Sequence, residues 1–315
     1  MSGKNPFLGL GLGSPFLSFV RAVSNRINCS TLPGDAYLDV SSAGPWSGSN
    51  TTTELGVGTY ETTPRGVFVS NDGLHLYTVG QSGDGVDQWD LSTAHDLSTA
   101  VHKTFRSVSS QELIVEDIFF KPDGTSFYIV GDFYDDIFQY NLGIPWDIST
   151  ASYFGKNETG GSSTVQSPTG LTFSSDGVYA FVFSSYLRYM NRYTLSTPWN
   201  ILSAYLTQNQ SSPWNSQITS TGQDVGIAIN PDGTRLVIIH SQGDEIEEYI
   251  LSTPYYIAAN VLHNGNLSVS SDTTFPTGCC WAGDGRYFYV LGGTIVFRYE
   301  TCADGDYKIK GRGLN

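Results

Sequence analysis

Short apolar stretches alternate with clusters of Gly, Asp, Ser and Thr along most of the chain, and five of these stretches lead into an Asp-Gly pair. They are Gly66-Val67-Phe68-Val69 before Asp72-Gly73, Asp117-Ile118-Phe119-Phe120 before Asp123-Gly124, and Gly170-Leu171-Thr172-Phe173 before Asp176-Gly177. Gly226-Ile227-Ala228-Ile229 before Asp232-Gly233 and Gly278-Cys279-Cys280-Trp281 before Asp284-Gly285 complete the set. The five Asp residues are 51, 53, 56 and 52 positions apart. A period of this size marks a repeated supersecondary unit. A second apolar stretch follows each turn: Leu76–Val79, Phe127–Val130, Ala180–Phe183, Leu236–Ile239 and Phe288–Leu291. An aromatic then recurs, with Trp89, Tyr140, Tyr193 and Tyr249 each 17 residues after their Asp, and Tyr299 15 after Asp284. Leu-Ser-Thr-Pro-Trp or a variant comes next, as in Leu195–Trp199, Leu251–Tyr255, Leu91–Thr93 and Ile144–Asp147, followed by a fourth stretch such as Ala204–Thr207.

Stretches this short, bounded by turn residues, read as β-strands. Asp-Gly suits a two-residue hairpin, because Gly accepts a positive φ without a Cβ clash. Four strands per unit make an antiparallel meander. One such unit cannot bury both of its faces, whereas units stacked radially bury each other's, which is the arrangement of a β-propeller. The expected fold is therefore all-β: a five-bladed β-propeller of four-stranded antiparallel sheets, with inner strands near 67–69, 118–120, 171–173, 227–229 and 279–281. Five copies of one internal spacing disfavour a β-sandwich, and a linear solenoid lacks the four-strand meander.

Ring closure requires a strand from the far end of the chain. The fifth unit stops at Tyr299–Cys302, after its third strand, and Cys29-Ser30-Thr31-Leu32-Pro33 through Ala36-Tyr37-Leu38 copies the missing turn and outer strand. Ala36, Tyr37 and Leu38 are thus the expected closure strand. The domain division that follows is an apolar arm over 1–28, a propeller over 29–302 and a tail over 303–315. Residues 41–60, with Pro45-Trp46, are long enough for the alternative of a sixth, degenerate blade.

Composition narrows the function. The chain has 315 residues, 35 Gly, 19 Tyr and 17 Phe, and a net charge of −14. Nucleic-acid binders need Lys and Arg to displace phosphate counterions, so this balance argues against one. It argues equally against docking on anionic lipid, and no apolar run reaches the length of a membrane span. Cys29, Cys279, Cys280 and Cys302 form no C-x-x-C pair and the five His are scattered, so no zinc spacing and no cofactor are expected. Cys279 and Cys280 read as buried inner-strand thiols. Cys29 and Cys302 map to one turn, where a disulfide requires an oxidising compartment. The turns after the second strands are acidic, with Asp84, Asp87, Asp132, Asp135, Asp136, Asp244 and Glu245. Gathered on one rim, these form either a hard-cation or docking surface or a solvated hairpin edge, and the absence of a complete Ca²⁺ loop favours the latter. Gly9–Gly13 lacks the Lys-Ser/Thr of a phosphate loop, no nucleophile elbow occurs, and the Asn-x-Ser/Thr sequons match chance in a chain this rich in Asn, Ser and Thr.

The arm carries Phe7, Leu8, Leu10, Phe16, Leu17, Phe19 and Val20 between Lys4 and Arg21. Interrupting Gly and Pro, and the lack of a cleavage site, weaken a signal-peptide reading. Burying one such side chain contributes about 1.5–3 kcal/mol, while ordering backbone costs about 1–2 kcal/mol per residue. A fixed arm therefore needs most of its anchors buried, either on its own propeller or, the favoured reading, on a neighbouring subunit.

The unit running from Pro122-Asp123-Gly124-Thr125 to Trp146-Asp147-Ile148-Ser149-Thr150-Ala151 resembles the propeller repeat of structural and tail-associated bacteriophage proteins, and more distantly is similar to YVTN-type and lactonase-like propellers. The resemblance covers about residues 62–302. It implies a non-enzymatic component of the virion, in the tail, neck or capsid surface, partnered by other virion proteins in multiple copies. The alternatives are a secreted or surface propeller binding a host-surface glycan through Trp146 and Trp199, or a lactonase-like hydrolase. The metal ligands of the lactonase-like relatives have no matching positions here.

Overall fold

Each Asp-Gly pair reverses the chain, but through a longer loop than the two-residue hairpin expected from the sequence. In the computed structural model Ser70 N donates to His75 O at 2.8 Å and Gly73 N to Ser70 O at 2.9 Å, so four residues connect the strands. Lys121 to Ser126 repeats the geometry. Among the described turn residues only the Gly has positive φ, at 70–77° over the five turns, whereas the tighter hairpin needs it at both central residues. Pro122 and Pro231 pre-set the first turn residue. The Asp closes the loop: Asp72 Oδ1 accepts from Leu74 N at 3.0 Å and Ser70 Oγ at 2.6 Å, Asp176 accepts likewise from Val178 N and Ser174 Oγ, and Asp123 and Asp232 accept both the N–H and the hydroxyl of Thr125 and Thr234.

The structure describes residues 54–300, apart from 159–164, 211–224, 242, 259–260, 271 and 283–284. A short strand, β1 (Glu54–Gly56), opens the described chain. The first blade is β2 (Pro64–Val69), β3 (His75–Gly80), β4 (Gly85–Leu91) and β5 (Ala100–Ser107). The second is β6 (Val115–Phe120), β7 (Ser126–Gly131), β8 (Ile137–Leu142) and β9 (Ala151–Asn157). The third is β10 (Pro168–Phe173), β11 (Tyr179–Ser184), β12 (Tyr189–Leu195) and β13 (Ala204–Gln210). The fourth is β14 (Val225–Ile229), β15 (Arg235–His240), β16 (Glu245–Leu251) and β17 (Val261–Ser268). The fifth joins β18 (Pro276–Trp281), β19 (Tyr287–Gly292) and β20 (Ile295–Glu300) to β1. The described residues thus form five four-stranded antiparallel sheets, a five-bladed propeller. The inner strands β2, β6, β10, β14 and β18 pack in a ring, each against the next and β18 against β2.

The cores lie between blades. One cluster joins Phe68 and Tyr77 of the first blade to Phe120, Phe127 and Tyr140 of the second, and the other clusters bridge their blades likewise. Polar latches accompany them. Gln88 Oε1 accepts from Ile148 N at 3.1 Å and Gln139 Oε1 from Ile201 N at 2.9 Å, while Arg192 Nη1 donates to Tyr255 O at 2.9 Å and Arg298 donates to the His95 carbonyl. The Leu-Ser-Thr-Pro-Trp repeat supplies the receiving turns. Asp96, Asp147 and Asn200 cap single 3₁₀ turns there, each side chain accepting a backbone N–H two residues on.

The ring is closed by an N-terminal strand, and the one beside β20 is β1: Glu54, Leu55 and Gly56 pair with Phe297, Val296 and Ile295. Ala36, Tyr37 and Leu38, the expected closure strand, lie outside the described residues, as do the arm residues Phe7, Leu8, Leu10, Phe16, Leu17 and Phe19 and the cysteines Cys29 and Cys302. Residues 54–56 complete the fifth blade, which replaces the sixth-blade alternative for that segment. Its cue lies downstream of the strand. Val57 and Glu61 stand seven and three residues before Pro64, as Val108 and Glu112 stand before Val115 and Val269 and Thr273 before Pro276. In all three copies the Val carbonyl accepts two N–H groups from its own turn: Tyr60 and Glu61, Gln111 and Glu112, Asp272 and Thr273.

Candidate site: the central channel

Near the start of the inner strands, at their second or third residue, four of five carry Gly: Gly66, Gly170, Gly226 and Gly278. A Cβ on Gly278 would meet Arg65 O at 2.4 Å, and one on Gly66 would meet Asp117 Cα at 2.7 Å. The backbones of β2, β6 and β18 therefore nearly touch at this level. The fifth position is Asp117, whose buried carboxylate accepts from Ile118 N at 2.9 Å and across the blade boundary from Leu171 N at 2.7 Å. Burial pushes this carboxyl well above the ordinary range, against the two N–H groups that favour its ionised form. Polar groups cluster nearby: Gln81 Nε2 donates to the buried Glu116 Oε1 at 2.5 Å, Arg65 Nη2 donates to Gln81 Oε1 at 3.1 Å, and Arg65 Nε lies 3.9 Å from Glu116 Oε2.

The other end of the channel, level with the Asp-Gly turns, widens into an open cavity of about 100 Å³. Phe68, Phe119, Phe173, Ile229 and Trp281 form its apolar wall, with Asn71, Thr172 and Ser175 as polar members. Phe119 bridges two blades, its ring centroid 5.3 Å from Phe68 and 5.2 Å from Phe173. Among the described residues no Asp, Glu, His, Lys or Arg lines this cavity. Cys279 and Cys280 are free, buried thiols, as expected, and burial raises both above their usual range, with the Asp117 charge adding to it. They are poor nucleophiles in that state.

The acidic residues predicted to share a rim divide between turn and strand. Asp84, Asp132 and Asp244 occupy the turns, and Asp135 there accepts from Ser167 N of the following connection at 2.9 Å. Asp87 is not a rim residue: it is buried on β4 and hydrogen-bonded to His102 Nε2 at 2.7 Å. Asp136 is buried beside β8 and accepts from Lys156 Nζ at 2.7 Å, and Glu245 begins β16 and accepts from Asn266 at 2.9 Å. Strand alternation turned these side chains toward the sheet, which spacing in a turn-rich segment does not reveal. Among the described residues no three His, Cys, Asp or Glu side chains come together as a metal site.

Other ionisable clusters are built into the sheets. Glu61 and Glu112, which sequence reasoning passed over, are buried turn clamps. Glu112 accepts from the N–H groups of Leu113, Ile114, Phe133 and Tyr134 at 2.9–3.2 Å, and Glu61 from Thr63, Ser82 and Gly83 at 2.9–3.1 Å. In the fourth blade His240 Nε2 lies 3.3 Å from the buried Glu247 Oε1, and the Tyr249 hydroxyl donates to Glu247 Oε2. Burial works to raise the Glu247 carboxyl, but these partners outweigh it and hold it below the ordinary value. Trp146 and Trp199 have positive φ, 66° and 63°, and cover Gly124 and Gly177 as turn lids. The exception to glycine at Asp117 was legible by aligning the five repeats; the cavity was not, because it needs side chains from all five blades at one level.

No protein-family model and no curated protein matches the chain. Solved structures similar to it include the periplasmic gluconolactonase PpgL of Pseudomonas aeruginosa, 15% identical, covering 76% of this chain and 69% of that one with a TM-score of 0.42. A putative 6-phosphogluconolactonase from Bacteroides uniformis is 16% identical, and the match takes in 74% of this chain but just under two thirds of that one, 65%, at a TM-score of 0.43. The β-propeller domain of Cps50 (Swd1) from Myceliophteria thermophila is 10% identical over 75% of this chain and 83% of that one, at 0.44. The likeness is one of fold.

Proposed function

We propose that this chain is a non-enzymatic structural component of a bacteriophage particle, its propeller a rigid platform for other virion proteins and its first 28 residues the anchor. The observation that carries the reading is the face formed by the turns after the second strands. Phe133, Tyr134 and Tyr186 are half or more exposed there, at 50%, 51% and 59%. They stand beside Asp132 and Asp135, and the Asp135–Ser167 and Ser185–Ser167 hydrogen bonds link the second and third blades beneath them. Exposed aromatics grouped on one face suit protein contact. The first 28 residues hold three basic and no acidic side chains among many apolar ones, complementary to an acidic, aromatic face on a neighbour. The repeat's resemblance to phage propellers supports the virion as the setting. In the channel, the Asp117 carboxylate is committed to two backbone N–H groups and no charged side chain lines the cavity among the described residues, which supports a role without general acid or base chemistry there.

The test is incorporation. Particles assembled with a variant lacking residues 1–28 are expected to lack this protein, and Phe133→Ser with Tyr134→Ser to reduce its copy number. Normal incorporation of the truncated chain would remove the arm as anchor, and absence of the full chain from purified particles would remove the virion assignment.

A further inference from the structure

We infer that the ridge formed by Leu113, Phe133 and Tyr134 is the docking site for residues 6–19 of a second copy of this chain. The inference rests on the reading of the arm as anchor and names the partner that the ridge receives. The three side chains are exposed, at 36%, 50% and 51%, on two loops that one buried carboxylate fixes: Glu112 accepts from the backbone N–H of all three residues. The Phe133 and Tyr134 rings pack edge to face, with centroids 4.7 Å apart. A ridge held in this way loses little freedom when a partner covers it, and aromatics of this kind are the usual anchors of an interface. Charge selects the partner. Segments 108–114 and 132–136, which build the ridge, contain Glu112, Asp132, Asp135 and Asp136 and no Lys or Arg. Lys156 answers Asp136, while Asp132 stands exposed beside the rings, so a basic partner is favoured.

Residues 6–19 match this surface. Pro6-Phe7-Leu8-Gly9-Leu10 and Pro15-Phe16-Leu17-Ser18-Phe19 repeat one pattern, a proline ahead of two large apolar residues with a third two positions on. Lys4 and Arg21 bracket the pair, and residues 1–28 contain no Asp or Glu. Proline fixes its own φ and biases the residue before it towards extended backbone, which lowers the entropy lost when such a segment is laid on a surface. The ring order favours a second copy over the chain's own arm. The described chain starts at Glu54 in the fifth blade, whereas the ridge belongs to the second blade and the connection leading into it. The first blade separates them on one side and the third and fourth on the other. Two unlike patches on different sides of a ring make a head-to-tail contact.

Sedimentation velocity on the purified full chain tests this. The parent is expected to associate as its concentration rises. Two full-length variants break opposite halves of the contact. The arm variant carries Phe7→Ser, Leu8→Ser, Phe16→Ser and Leu17→Ser, and the ridge variant carries Phe133→Ser and Tyr134→Ser at exposed positions outside the core. Each alone is expected to associate at least about tenfold more weakly than the parent. Mixed, they are expected to pair and grow no further, because one supplies an intact ridge and the other an intact arm. A labelled peptide of residues 1–28 should bind the arm variant and not the ridge variant. A parent that stays monomeric, a ridge variant that associates like the parent, a mixture that stays monomeric, or a peptide that binds both variants equally would each overturn the inference. Incorporation of a monomeric parent into particles through residues 1–28 would leave the assembly reading standing, so the two fail separately.

Discussion

Single carboxylates in this protein act by what they touch, and Glu247 illustrates how pH reads that contact. Its neighbours are His240, the Tyr249 hydroxyl and, through charge, His263. Because its folded carboxyl is held below the unfolded value of about 4.5, the stability it contributes is fully present above that value. It is lost as pH falls through the lowered folded value. Glu247→Gln removes the charge and leaves the paired groups buried, so it is expected to cost about 3 kcal/mol at pH 7. The same variant should lose less further stability on acidification than the parent. Urea titrations at pH 7 and at pH 4 check both; equal acid sensitivity of the two proteins would dismiss this role.

At the scale of the element, the Asp-Gly turn and the later aromatic form one device. Gly177 has φ +72° and a Cβ there would lie 2.2 Å from the Trp199 ring. Backbone strain and steric conflict add, and Gly177→Ala is expected to destabilise by about 2 kcal/mol or more. Gly293 separates the two effects, with φ +58° and open space around its Cβ position, so Gly293→Ala should cost only the strain, about 1 kcal/mol. Gly56, with neither feature, should tolerate Ala within about 0.5 kcal/mol. Chemical denaturation should rank the three in that order. This coupling explains why an aromatic follows each described turn at a set distance: His95, Trp146, Trp199 and Tyr255 all adopt positive φ, and each donates its N–H to the carbonyl of the glycine it covers.

At the scale of the molecule, stability depends on closure, since every core lies between two blades. The three residues of β1 hold the last sheet, and Val57 and Leu55 pack with Val67, Leu76 and Val296 across the join. Leu55→Pro removes a backbone donor from this short strand and an apolar contact from the join. The expected result is a lower melting temperature for the whole ring and self-association through the exposed edge of β20. Thermal melts with size-exclusion chromatography provide the measurement, and an unchanged, monodisperse profile would show that β1 is dispensable.

Periodicity by itself determined the strands, their number per unit and the five-bladed ring, because a four-strand unit with two apolar faces has few ways to bury both. Inner strands predicted near 67–69, 118–120, 171–173, 227–229 and 279–281 all fall within the observed ones. The closing strand is Glu54–Gly56 and not the expected Ala36–Leu38, because the Leu-Ser-Thr turn before an outer strand is a loose marker of it. The Val-to-Glu turn after it carries the clearer copy, at Val57–Glu61. Only the tertiary structure decided the fate of the acidic residues, since exposed Asp132 and buried Asp136, which pairs with Lys156, lie four positions apart in one turn. It alone decided the channel as well. The aromatic cavity and the close approach of the glycine-bearing strands are made by residues about fifty positions apart, brought to one level by the rotation of each blade on the next.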